Sequence, residues 1–186
     1  MNQPAKILAL ISHKSITKTT TISNLSHSLA LQGYRTLIID TDGVPAIQMH
    51  IEQNKEVTEK RIIKNKAKVE LLKNKGRAIN QTLLDQLEYD EFALENRPIV
   101  IARSLYELDA QFDVIKRDYA HFDFIIVDVP AKVLDSKNNP IKEIKRLISF
   151  SDLVITPYKG DTQNAVTAVT VSGIIEDLKY DAVSLG

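Results

Sequence analysis

Lys18 and Thr19 stand together at the start of a run with helical spacing, while Asp40, Asp42 and Asp128 stand at or just past the ends of two strongly apolar runs. An ammonium and a hydroxyl at a helix start, beside free N–H groups and the positive end of the helix dipole, suit a phosphate. Carboxylates at the carboxyl ends of buried parallel strands lie at the crevice where open α/β sheets bind ligands. Simpler roles compete at each position. Lys18 and Thr19 could merely cap and solvate a helix, and Asp42 could merely open a turn with Gly43.

The elements that must position these groups follow from the pattern around them. Lys6 to Ile11 is a short apolar run without helical period, as in a parallel strand buried on both faces. Ser12 to Thr17 is a turn. Thr19 to Gln32 carries Ile22, Leu25, Leu29 and Leu31 at near-helical spacing, with Gly33 where a C-cap wants a left-handed residue. Arg35 to Asp40 is a second apolar strand ending in acid. Residues 46 to 96 read as largely helical, with Leu83, Leu84, Leu87 and Leu94 facing a core. Ile99 to Ala102 is a strand introduced by Pro98. A helix from Tyr106 to Tyr119 is expected to bury Leu108, Phe112, Ile115 and Tyr119. Phe122 to Pro130 is a hydrophobic strand ending in Asp128, and Ile141 to Phe150 a short helix with Ile144, Leu147 and Ile148 inward. A last strand at Ser151 to Pro157 precedes a helix from about Thr162 to Lys179, with Val166, Val169, Ile174 and Leu178 as its apolar face. The alternation predicts an α/β fold: a single three-layer domain over residues 1–186, with a mainly parallel five-stranded sheet between helices.

Composition narrows the function. With 24 basic and 24 acidic residues, the formal charge is zero, so any attraction to nucleic acid must come from a local patch. The segment Glu52 to Asn80 is such a patch, with nine Lys or Arg against four Glu, a net +5. Lys64, Lys66, Lys68 and Lys73 are its candidate DNA contacts. A solvated helix face explains the same lysines, and the acidic run Asp85, Glu88, Asp90, Glu91 and Glu95 could instead partner them. There is no cysteine, which suits a reducing cytoplasm. His13, His27, His50 and His121 are too scattered for a metal cluster, and the N-terminal apolar run is too brief for a signal core or a membrane span. A soluble, cytoplasmic protein is expected, nucleoid-associated if it binds DNA.

The stretch from Ile11-Ser12-His13-Lys14 through Lys18-Thr19-Thr20-Thr21, Asn24 to Ala30, Gly33 and Leu37-Ile38-Ile39-Asp40-Thr41-Asp42 resembles the opening of the ParA/MinD partition ATPases. Phe122 to Pro130 resembles their strand ending in Asp-x-Pro, and Ser151 to Pro157 a later strand. The resemblance implies a P-loop NTPase-type fold and Mg-ATP as cofactor. It also implies a homodimer, non-specific DNA binding, a ParB-like adaptor as partner, and no membrane. Residue by residue, it implies that Lys18, Thr19, Thr20, Ser15 and Thr17 hold the nucleotide and that Thr19, Asp40 and Asp128 surround Mg²⁺. Asp42 would position the attacking water, and Lys14 would reach across the dimer.

The chain departs from the family's KGGxGKTT loop at its centre. Only Ser15, Ile16 and Thr17 separate Lys14 from Lys18, so the loop has no glycine and is one residue short. If the spacing to Lys18 is kept instead, His13 takes the first lysine's place. Wrapping a phosphate asks the backbone for positive φ and close approach, which β-branched Ile16 and Thr17 resist. Weakened nucleotide binding is therefore expected. The alternative is a non-catalytic member of the fold, a pseudo-ATPase acting as an interaction module. Gly43-Val44-Pro45-Ala46 also differs from the family's Pro-Gln-Gly. The strand closing with Asn-Arg and the last helix that the resemblance implies have no counterpart before Gly186.

Overall fold

A computed structural model describes residues 4–11, 18–43, 46–131, 134–136, 141–157 and 162–184; in the last helix the side chains of 163, 164, 167 and 178–184 are not described. Five strands form one sheet: β1 (Lys6–Leu10), β2 (Thr36–Asp40), β3 (Ile99–Ala102), β4 (Phe124–Asp128) and β5 (Leu153–Ile155). Their order is β3-β2-β4-β1-β5, and all four pairings are parallel.

The register sets the carboxyl ends level. Leu10 pairs with Asp128, Asp128 with Asp40, and Asp40 with Ala102, so β1, β4, β2 and β3 stop along one line. Because successive strand residues face opposite ways, each strand feeds two cores. Ile7, Ala9, Leu37, Ile39, Ile125 and Val127 build the larger one, against Leu108, Phe112, Ile115, Ile144, Leu147 and Ile174. Leu10, Ile38 and Ile126 build the other, with Ile22 and Ile47. Asp40 and Asp128 continue the Ile38 and Ile126 alternation, so the pleat sends both acids to this second face.

That face is covered by α1 (Lys18–Leu31) and the start of α2 (Ala46–Asn74), and α3 (Gln81–Glu95) packs against those two helices. Gly33 ends α1 as expected: at φ 82° its N–H reaches the Ala30 carbonyl at 2.9 Å, and the Tyr34 N–H reaches Leu29 at 3.1 Å. Leu83, Leu84, Leu87 and Leu94 on α3 are half-buried rather than fully interior. The opposite face carries α4 (Leu105–Ala110), α5 (Phe112–Asp118), α6 (Lys142–Phe150) and α7 (Thr162–Ser184).

Three expectations are corrected here. The helix expected over Tyr106 to Tyr119 is two helices broken at Gln111, whose N–H is shared between the Glu107 and Leu108 carbonyls. A capping box between Ser104 and Glu107 starts the first of them. Leu108, Phe112 and Ile115 still reach the core, whereas Tyr119 is only partly buried. On α7 the inward stripe runs through Val171 and Ile174, leaving Val166 and Val169 exposed at 52% and 72%. Strand β5 is also shorter than the expected Ser151 to Pro157.

Candidate functional site

Three buried charges meet where the sheet's carboxyl edge touches the start of α1. Lys18, the first residue of α1, is 1% exposed, Asp128 at the end of β4 is 3% and Asp40 at the end of β2 is 5%. Lys18 Nζ donates a hydrogen bond to the Val129 carbonyl and lies 3.4 Å from Asp128 Oδ1. At that distance Oδ1 has a cation nearby without a hydrogen bond, and it is buried with no hydrogen-bond partner.

The backbone around the acids is tied down. The Asp42 N–H donates to Asp40 Oδ1 at 3.1 Å. Thr41 donates through both N–H and Oγ1 to the Asp128 carbonyl, at 3.2 and 2.5 Å. The Val129 N–H reaches Leu10 at 3.2 Å, and Arg103 N–H reaches the Asp40 carbonyl at 3.0 Å. These bonds lock the ends of β1, β2 and β4 together, so the backbone holds Asp40 and Asp128 in place in addition to their side-chain contacts.

Burial dominates the electrostatics. It pushes the Asp128 carboxyl up to about 6, with Asp40 and Asp42 pushing the same way and Lys18 only partly offsetting them. Asp40 is also raised, first by burial and further by the charge of Asp42, against the Asp42 N–H and Lys18. One ammonium does not neutralise the cluster, which leaves it short of positive charge.

Hard oxygen donors of this kind fit Mg²⁺, which takes one or two protein carboxylates and fills its remaining positions with water and phosphate oxygens. The buried Asp128 Oδ1 without a hydrogen-bond partner is the atom such an ion would satisfy. Asp40 and the Thr19 hydroxyl, on a half-buried residue one position into α1, are the further oxygens that could join it. Asp42 is half-buried and Thr20 exposed at the same helix start. Among the described residues no group of three or more His, Cys, Asp or Glu is already arranged around a metal position. The expected sites at Lys14, Ser15 and Thr17, and His13 of the second register, lie outside the described residues.

A family model described as an AAA domain matches residues 5–165 of this chain. The chain belongs to the ParA/MinD-type ATPase family. A "ParA family protein" of Mycoplasma pneumoniae (strain ATCC 29342 / M129 / Subtype 1) is 24% identical over 183 residues, an alignment covering 93% of this chain and 65% of that protein. The chain thus spans just under two thirds of that relative's length. The ParA/MinD family's general chemistry is that of ATP and Mg²⁺.

The basic segment is less unified than its composition suggests. All four candidate lysines lie on α2 and are exposed. At 100° per residue, Lys64 and Lys68 share one flank, while Lys66 and Lys73 lie about 140–200° round the helix. Lys66 pairs with Glu91 of α3 at 2.6 Å. Arg61 grips Asp90 with two bonds of 2.6 Å, and Asp90 is 0% exposed. Part of the acidic run therefore does partner the basic one.

Two participants were not visible in the sequence. The Val129 carbonyl that receives Lys18 is backbone and leaves no trace in residue type. Thr41, which ties β2 to β4, had a weak signal as a hydroxyl between two candidate acids. No helix among the described residues is long and apolar enough to cross a membrane.

Proposed function

We propose that this chain is a ParA-type partition protein in which Mg-ATP drives dimerisation and non-specific DNA binding, under the control of a ParB-like adaptor, in the cytoplasm. The observation that carries the reading is the level pairing of Asp40 with Asp128 beside the buried Lys18 at the start of α1.

Lys18 holds the β- and γ-phosphates, and Thr19, Asp40 and Asp128 hold the ion. When bound, Mg²⁺ neutralises phosphate charge and brings the cluster the positive charge it lacks. Lys18 first has to exchange the Val129 carbonyl and Asp128 for phosphate oxygens. Asp42, next to the ion's carboxylates but less buried, orients the attacking water, and Lys14 reaches the partner subunit's nucleotide. The glycine-free loop makes this binding weak. Each non-glycine residue forced into a strained backbone costs about 1–3 kcal/mol, set against roughly 8 kcal/mol for micromolar affinity.

Thermal unfolding with Mg-ATP tests this reading. ATP at about 100 times its dissociation constant raises stability by about 2.7 kcal/mol, and Mg-AMP, which lacks the β- and γ-phosphates, gives no comparable shift. A second reading, a pseudo-ATPase acting as an interaction module, is favoured by the way Lys18 is already occupied by Val129 and Asp128. No shift at millimolar Mg-ATP would leave that reading standing and remove the first.

A further inference from the structure

A cleft of about 60 Å³ opens between α1, α2 and α3. None of Lys18, Asp40 and Asp128 lines it. Its apolar wall is Ile51, Ala93, Leu94 and Pro98, and its polar lining includes Ser23, Thr58, Lys55 and Arg97. No acidic residue lines it among the described residues.

Ser23 supplies the second observation. It is 6% exposed, and its Oγ is buried with no hydrogen-bond partner. A serine inside a helix ordinarily returns its hydroxyl to the backbone one turn back, as Ser26 does to the Ser23 carbonyl at 3.1 Å. Ser23 forgoes that bond while lining a cavity with room for about four waters. At the rim, Arg97 makes no ion pair among the described residues, and the partly buried Lys55 has only a 3.6 Å contact to the exposed Glu52.

We propose that this cleft binds a small organic anion, its short apolar body against Ile51, Leu94 and Pro98 and its carboxylate or phosphate held by Lys55 and Arg97, with the Ser23 hydroxyl as a further donor once it rotates about its Cα–Cβ bond toward the ligand. Two cations without a lining acid select the sign of the ligand, and the apolar wall selects an organic body over a bare ion. The site goes beyond the nucleotide reading and stands whether or not Mg-ATP binds. Its occupant would touch α1, the helix that begins with Lys18.

The test uses the full chain labelled with ¹⁵N and titrated with butyrate, then with butylammonium, which has the same apolar body and the opposite charge. Butyrate is expected to move the amide signals of Ser23, Thr58 and Arg97 saturably, with a dissociation constant on the order of 1 mM. Butylammonium is expected to bind at least about tenfold more weakly. Arg97→Gln and Lys55→Gln, both changes at partly or fully exposed side chains, should each weaken butyrate about tenfold, the value of one charge-assisted hydrogen bond. Unsaturable shifts, equal binding of the two probes, or butyrate affinity unchanged in both variants would overturn the proposal.

Discussion

Lys18 and Asp128 form a pair whose members are 1% and 3% exposed, and their value lies less in attraction than in the cost of separating them. Removing one partner from a buried pair leaves an uncompensated charge, at about 3–5 kcal/mol, whereas replacing both by apolar residues of similar size is often neutral. Lys18→Met is therefore expected to destabilise the nucleotide-free protein by about that amount in urea unfolding at pH 7, and Asp128→Leu by less, because it also removes the burial penalty on the carboxylate. The double variant should recover most of the loss. Two losses that simply add would mean the charges are not coupled.

Asp128 also sets a pH dependence. Its carboxyl titrates near 6 in the folded chain against 3.8 as the ordinary value, so the folded state binds the proton more readily than the unfolded one. Stability falls as pH rises through that window, with the penalty absent below about 4 and complete above about 6. The full difference is on the order of 3 kcal/mol. Other carboxylates, such as Asp152, are shifted down and contribute with the opposite sign. The measurement is consequently the stability difference between the native chain and Asp128→Asn from pH 4 to 7, which should change across that interval in favour of the variant. The lysine and the acids were legible from their places in the sequence. That Lys18 is turned into the acids, with Val129 as its acceptor, was not, because a lysine's four torsions and a carbonyl's direction depend on the packed neighbourhood.

At the scale of elements, continuous apolar runs marked every strand and helical spacing marked most helices. The errors arose where tertiary contacts overrode spacing. The break at Gln111 lies within an apolar pattern that runs through Leu108, Phe112 and Ile115 without interruption, so periodicity could not reveal it. On α7, Val166 and Val169 have the right residue type and spacing for a core face, but among the described side chains the helix packs on the core through Val171, Ile174 and Ile175. In the sequence Asp90 is one acid among five, yet it is the buried anchor of the α2–α3 hairpin. Arg61→Met leaves that carboxylate the Gln86 Nε2 donor at 2.8 Å but takes away its cation, and is expected to cost about 2 kcal/mol, reduced from the fully buried case because Arg61 is itself 45% exposed. Lys66→Met, which removes an exposed pair, should cost below about 1 kcal/mol. Equal losses in chemical denaturation would contradict the assignment of Asp90 as anchor.

Across the molecule, the level carboxyl edge of β1, β4 and β2 is what brings residues 18, 40 and 128, far apart in the chain, into one cluster. The fold was legible because parallel strands buried on both faces leave near-continuous apolar runs. DNA binding, if it runs through α2, is expected to be uneven: neutralising Lys64 and Lys68 should lower the salt slope of DNA affinity by about 1.8. Neutralising Lys66 and Lys73 should do less, because Lys66 is already paired with Glu91. Fluorescence anisotropy over a salt series separates these outcomes, and identical slopes would return all four lysines to the solvated surface.

A site that keeps its lysine and acids but has lost the glycines of its phosphate loop should regain affinity when those glycines return. Calorimetric titration of Mg-ATP into the native chain, and into one with Lys14–Lys18 replaced by Lys-Gly-Gly-Val-Gly-Lys, measures this. Relief of about 3 kcal/mol of backbone strain corresponds to tighter binding by a factor on the order of 100 in the restored loop. Equal affinities in the two chains would show that glycine loss is not what limits nucleotide binding.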